Sequence, residues 1–274
     1  MKRSERLVAM TNYLLDHPQE LVSLPHFSKT YDAAKSSISE DLGIINQMFQ
    51  QEGIGYLQTV SGAAGGVKYI PKASTSYSQL FVQGLCERLE DPERLLPGGY
   101  LFMSDLLGEP GTVKDIGRLF ASAFTDKEVD VVMTVATKGI PLAYAVANYL
   151  NVPVVIARRD PKVTEGSTVS INYVSGSTRK IQTMVLTKRS LTEGANVLII
   201  DDFMKAGGTI NGMRNLLTEF NANVAGIGVL AEAEDEEEDR VVNDYLSLVQ
   251  IMNVDDRSRQ IVVKPGNLLN ELTS

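Results

Sequence analysis

Asn196-Val197-Leu198-Ile199-Ile200-Asp201-Asp202-Phe203-Met204-Lys205-Ala206-Gly207-Gly208-Thr209 is the stretch on which the fold turns. Its first half is a short apolar run, which fits a strand buried on both faces of a sheet. That strand delivers two adjacent carboxylates, Asp201 and Asp202, and then a small-residue loop that opens a helix. Amides at Ala206, Gly207 and Gly208, with the Thr209 hydroxyl, form a cradle at a helix N-terminus, where unpaired N–H groups and the helix dipole favour a phosphate. Glycine lets the backbone approach closely, and Lys205 joins the ligand-binding candidates. Carboxylates at the C-terminal edge of a parallel sheet sit where such folds take ligands and accept hydrogen bonds from paired ribose hydroxyls. Each such charge-assisted bond contributes roughly 1.5–3 kcal/mol. The Lys-Ser/Thr ending of a P-loop and the spacing of a dinucleotide fingerprint are both absent, which argues against ATPase and dehydrogenase chemistry.

Upstream, Thr134-Val135-Ala136-Thr137-Lys138-Gly139-Ile140-Pro141 again runs from strand through a small loop to a helix. Thr137, Lys138 and Gly139 make up that loop, with Lys138 as its one cation. Between the two lies a basic stretch with Arg158, Arg159 and Lys162, followed by residues 166–180, which contain no Asp or Glu. Periodicity predicts helices near 79–90, 113–124, 141–150 and 209–220 and strands at 129–135, 152–157, 181–186, 197–200 and 224–230. Alternating apolar strands and amphipathic helices imply a mostly parallel sheet covered on both faces.

The N-terminal part has another rhythm. Residues 4–17 predict a first helix, with Ser4 as N-cap, an apolar face of Leu7, Val8, Met10, Leu14 and Leu15, and Pro18 as the stop. Ser23 caps a short second helix, and a third repeats Ile38, Leu42, Ile45 and Phe49 at helical spacing before Gly53. Strand-like residues 55–60 and 67–70 flank a glycine-rich turn. Three helices and a hairpin make a winged helix, in which the third helix enters the major groove and the hairpin lies along the DNA backbone. The candidate contacts are Arg3, Lys35, Ser36, Ser37, Ser39 and the wing Lys68. The polar stretch 72–78 predicts a linker, dividing the chain into domains 1–73 and 74–274.

Composition bounds what remains. A length of 274 residues favours two domains. The single Cys86 cannot form an internal disulfide, and no long apolar stretch or leader pattern is present, which predicts a cytoplasmic protein without a membrane role. Net charge of −8 argues against nonspecific coating of nucleic acid. Seven basic side chains match seven acidic ones in residues 1–72, so that part is neutral and the rest carries the excess. Much of it is the acidic run at 232–239, which reads as a solvated face.

Residues 196–209 resemble the phosphoribosyl pyrophosphate (PRPP) motif of type I phosphoribosyltransferases, with Ala206 where that family often has a hydroxyl residue. Residues 134–141 resemble the pyrophosphate loop of the same superfamily, and 157–180 the basic stretch and mobile active-site loop of its purine-specific members. Adenine-type enzymes carry carboxylates there, and residues 166–180 of this chain have none. With the winged helix added, the whole chain resembles the bacterial purine operon regulators. The resemblance implies a homodimer that binds double-stranded DNA upstream of purine genes and uses PRPP as effector, with Mg²⁺ carried by the PRPP. It implies no transferase turnover and no metal site of the protein's own. Tyr100, after a glycine pair, resembles an effector-pocket aromatic of that family. Guanosine tetraphosphate is a plausible competitor, because its diphosphates suit the same anion sites. Two alternatives stay open at this point: an active purine phosphoribosyltransferase of adenine or xanthine type with an N-terminal interaction domain, and an interaction module that senses another nucleotide.

Overall fold

The computed structural model describes residues 1–273 apart from 63–64, 97–99, 161–165, 175–180, 234–239 and 256–258. The first unit comprises helices α1 (Arg3–Asp16), α2 (Leu24–Tyr31) and α3 (Lys35–Gln51), and strands β1 (Leu21–Val22), β2 (Gly55–Val60) and β3 (Gly66–Pro71). The Ser23 hydroxyl caps α2 by accepting from His26 N–H at 3.3 Å, as expected. Ser4 is not the cap of α1. The helix begins one residue earlier, and the Glu5 carboxylate accepts the Lys2 N–H at 3.0 Å. Met10 and Leu14 are buried, whereas Val8 and Leu15 of the expected apolar face are exposed. The two buried residues join Phe27, the predicted α3 stripe of Ile38, Leu42, Ile45 and Phe49, and Val67 and Tyr69 in one core. The unforeseen β1 makes the hairpin three-stranded, in the order β1-β3-β2. A two-residue strand carries too little pattern to be read alone.

Asp41 is fully buried on α3 and accepts from Arg6 Nε at 2.6 Å and Arg3 Nε at 2.9 Å, tying α1 to α3. The expected linker is shorter than its composition suggests. Ser74 caps α4 (Thr75–Leu89), accepting from Tyr77 N–H, so that the small polar residues form a helix start. Serine and threonine serve both roles, which is why composition misread them.

The second unit is built on a six-stranded sheet. Its strands are β6 (Val131–Val135), β7 (Val154–Ala157), β10 (Asn196–Met204), β11 (Asn223–Ala233), β12 (Leu246–Asp255) and β13 (Gln260–Pro265), and its spatial order is β13-β12-β11-β10-β6-β7. All neighbours pair parallel except β12 and β13. Helix α4 with α6 (Pro110–Ala123), α7 (Gly139–Leu150) and α9 (Leu268–Thr273) covers one face. Helix α8 (Gly208–Thr218) covers the other. Residues 181–186, expected as a sheet strand, belong elsewhere: β9 (Ile181–Thr187) pairs antiparallel with β8 (Thr168–Val174) as a separate hairpin. Its Tyr173 lies on Gly212 of α8, where an added Cβ would meet the ring at 2.9 Å. A smaller hairpin, β4 (Leu95–Leu96) and β5 (Tyr100–Leu101), precedes the short helix α5 (Ser104–Gly108). Among the described residues no helix is long and apolar enough to cross a membrane.

Candidate functional site

Topology makes the crevice. Strands β6 and β10 are neighbours, but the helices that come after them diverge: α7 packs on one face of the sheet and α8 on the other. Their pairing stops at Met133 and Ile199, after which β10 continues along β11 alone. Two strand ends with helix N-termini leaving in opposite directions form the switch point at which open α/β sheets bind ligands. A cavity of about 700 Å³ opens there.

Nine of the expected effector residues line it: Tyr100, Thr137, Lys138, Arg158, Arg159, Asp201, Asp202, Lys205 and Thr209. Ala206, Gly207, Gly208 and Gly139 are not in the wall but shape it. Gly207 caps α8 with φ +82°, a left-handed conformation that glycine adopts without a Cβ penalty. At Gly139 a Cβ would stand 2.1 Å from Thr134 Oγ1 and 3.1 Å from Asp201 Oδ1, so α7 can start this close to β10 only without a side chain. Lys162 lies outside the described residues.

The adjacent acids are not equivalent. Asp201 is buried at 3% exposure, its Oδ1 accepting from Asp202 N–H at 3.0 Å, while Asp202 is half-buried. Burial, and then the neighbouring Asp202 charge, hold the Asp201 carboxyl well above the usual carboxylate range. Asp202 is thus the more accessible of the two acids in the cavity wall, and Asp201 stands against Gly139. Arg158 is fixed by its backbone, which exchanges hydrogen bonds with Val185 of β9 at 2.9 and 2.7 Å. Arg94 holds the hairpin that carries Tyr100. Its Nη atoms reach both Asp105 oxygens at 2.8 and 2.7 Å, Nε reaches Arg88 O and Nη1 reaches Phe102 O. That bidentate contact lowers Asp105 to about 2.

The stretch that resembles a mobile active-site loop is only partly described. Residues 168–174 form β8, residues 175–180 lie outside the described residues, and no described residue of 166–180 lines the cavity. Asp160, passed over in the sequence, does line the cavity, with Phe203, Leu101, Met103, Ile251 and Val254. Asp160 and Phe203 adjoin residues already singled out, whereas Ile251 and Val254 come from β12, whose approach to the crevice has no local signal.

The candidate DNA contacts cluster loosely on the first unit. Lys35, Ser36 and Ser37 form the first turn of α3, and Ser39 comes next; all are exposed except the half-buried Ser37. Arg3 is half-exposed, but its Nε serves Asp41 and Nη2 stands 3.6 Å from Glu40. Lys68 is half-buried on β3, the central strand, opposite Gln58 and Leu21, and so sits in the body of the sheet and not at the hairpin tip.

A winged-helix unit joined to a parallel sheet with this crevice defines a phosphoribosyltransferase-like domain in a DNA-binding architecture. Residues 2–71 match the family described as bacterial purine repressor, N-terminal, and residues 103–258 the phosphoribosyl transferase domain. The chain is 64% identical over 268 residues, 98% of its length and 94% of the relative's, to the purine biosynthesis transcriptional repressor PurR of Bacillus subtilis. It is 48% identical over 99% of its length, and all of the relative's, to the purine biosynthesis transcriptional activator PurR of Lactococcus lactis. A xanthine phosphoribosyltransferase of Alkaliphilus metalliredigens is 34% identical over 54% of this chain and 75% of that enzyme. Among solved structures, adenine phosphoribosyltransferase from Thermoanaerobacter pseudethanolicus covers 61% of this chain and 98% of its own, with TM-score 0.53 at 20% identity, a likeness of fold. The chain belongs to the family of bacterial purine operon regulators.

Proposed function

We propose that this protein is a cytoplasmic, homodimeric DNA-binding regulator of purine biosynthesis and salvage genes, with PRPP as its effector and without transferase turnover. The observation that carries the reading is the crevice itself. On this reading Asp202 serves ribose hydroxyls, and Lys138, Arg158 and Arg159, which line the same cavity, a diphosphate, with the Ala206–Thr209 amides beside that wall for a 5′-phosphate. Full-length relatives named as transcriptional regulators of purine biosynthesis support the gene class, and the winged-helix unit supports duplex DNA as partner. Mg²⁺ would come with the ligand and offset part of its phosphate charge. Guanosine tetraphosphate competes for the same anion subsites, because they recognise phosphate oxygens and not the sugar that bears them.

Calorimetric titration of PRPP with Mg²⁺ tests the site. Asp202→Ala should abolish measurable heat while circular dichroism stays unchanged. Asp201 is the poorer choice, since its removal disturbs buried packing beside Gly139. Unchanged affinity in folded Asp202→Ala would falsify the assignment. A radiolabelled-base assay with adenine, guanine, hypoxanthine and xanthine should remain at background, and turnover that Asp202→Ala removes would make the protein an enzyme instead.

A further inference from the structure

A buried carboxylate outside the crevice takes no direct part in its chemistry. Glu232, near the end of β11, is 5% exposed, and both of its oxygens are engaged. Oε1 accepts from Ser247 Oγ at 2.7 Å, and Oε2 accepts from Arg240 Nη1 at 2.6 Å and from the Tyr245 hydroxyl. Arg240 Nη2 also donates to Ala233 O at 3.0 Å. Asn267 closes the far side, accepting from Ser247 N–H at 2.7 Å and donating to Tyr245 O at 2.9 Å. The chain therefore leaves β11 at Ala233, a residue of the cavity wall, and is fastened back onto the same spot at Arg240.

Just beyond Arg240 the chain touches the phosphate loop. Val241 N–H donates to Ala206 O at 3.2 Å. Val242 is buried against Gly207, where an added Cβ would meet it at 3.4 Å. In a trans peptide the C=O and the next N–H point in opposite directions. Fixing the Ala206 carbonyl on Val241 therefore turns the Gly207 N–H away from residues 240–242 and keeps the peptide plane from rotating. Ala206 is itself buried, so backbone and not a side-chain hydroxyl orients this turn.

We propose that the Glu232–Arg240 clasp, with Tyr245 and Ser247, is a positioning device for the 5′-phosphate loop: it seats Val241 on Ala206 and so aims the loop amides. The Glu232 carboxylate holds three donors from the strand edge and the returning chain, and none of them lines the cavity. Charge-assisted bonds of this kind in a buried setting are costly to leave half-made. Supporting residues that orient a site from behind typically change affinity by about 10- to 100-fold when removed. The inference rests on the PRPP reading for its ligand, though not for its geometry.

Arg240→Ala and Glu232→Gln test it, the first cutting the clasp from its more exposed side, where folding is least at risk. Amide hydrogen exchange of residues 205–209 in the unliganded protein should quicken in both variants, and Arg240→Lys should restore part of the protection. PRPP with Mg²⁺ should bind about tenfold more weakly, while pyrophosphate with Mg²⁺, which needs only the Lys138 side of the crevice, should stay within about twofold. Wild-type exchange and wild-type PRPP affinity in folded Arg240→Ala overturn the proposal. So does an equal loss for both ligands with a lowered Tm, which marks a general structural role. Wild-type protein that binds pyrophosphate but not PRPP overturns the effector reading, and the exchange measurement then judges the clasp by itself.

Discussion

Two neighbouring aspartates illustrate how one backbone step divides chemistry. Both Asp201 and Asp202 line the cavity, but Asp201 is buried, packed beside Thr134 and Gly139, while Asp202 is half-buried. Because burial raises the Asp201 carboxyl, the folded protein keeps its proton at pH values where the unfolded chain has lost it. Stability from this group is therefore complete below the ordinary carboxylate range, about pH 4, and declines as pH rises until the folded group also ionises. Asp201→Asn removes the dependence. In urea titrations at a series of pH values, the variant's unfolding free energy should gain on the wild type's as pH climbs from about 4. A difference independent of pH would show that Asp201 ionises as easily folded as unfolded.

Helix α3 carries two opposed requirements on two faces. Inward, Asp41 receives Arg6, a pair in which the carboxylate is fully buried and the guanidinium is 10% exposed. Removing one partner strands the other charge, so Asp41→Ala should cost about 3–5 kcal/mol of stability, measured by urea unfolding. Arg6→Met together with Asp41→Leu should recover most of it, because two apolar groups leave no unpaired ion. Outward, Lys35 opens the helix in solvent. Lys35→Ala should leave stability unchanged, weaken operator binding across all sequences and lower the salt slope by about one unit. Equal loss of stability in Lys35→Ala and Asp41→Ala would contradict this division of faces. The apolar stripe of α3 was legible because 3.6-residue periodicity is local, whereas the Asp41 ion pair joins residues 35 apart in sequence and no pattern announces it.

At the scale of the molecule the two units meet, among the described residues, through few polar contacts. Gln19 Nε2 donates to Thr125 Oγ1 at 3.3 Å, and Ala73 N–H to Ser122 Oγ at 2.9 Å. Beside them the Arg118 guanidinium lies 4.1 Å from the centre of the Tyr77 ring. Its buried Nε has no hydrogen-bond partner among the described residues. Burial raises the Tyr69 hydroxyl of β3 to about 12; Tyr149 adds to the shift and Arg118 opposes it. An effector can change DNA affinity only by binding two arrangements unequally, and a junction this sparse can repack between them. Arg118→Lys, which keeps the charge but loses the planar stack, should leave PRPP affinity and basal operator affinity close to wild type and shrink the change in operator affinity that PRPP produces. Fluorescence titrations of operator with and without PRPP measure it, and an undiminished PRPP effect would place the coupling elsewhere.

The sequence by itself determined the order of most elements in both units, the strand-loop-helix segments at 134–141 and 196–209, and the helix start at 35–39, because each is written in near-neighbour periodicity, caps and glycines. Tertiary structure alone decided which residues share a wall. It moved β9 out of the sheet and into a hairpin over α8, and brought Ile251 and Val254 to the crevice. It separated Asp201 from Asp202 by burial and joined Glu232 to Arg240 behind the phosphate loop. The physical reason is that side-chain period and capping act over a few residues, whereas strand order, burial and paired charges depend on segments that meet only when the chain closes on itself.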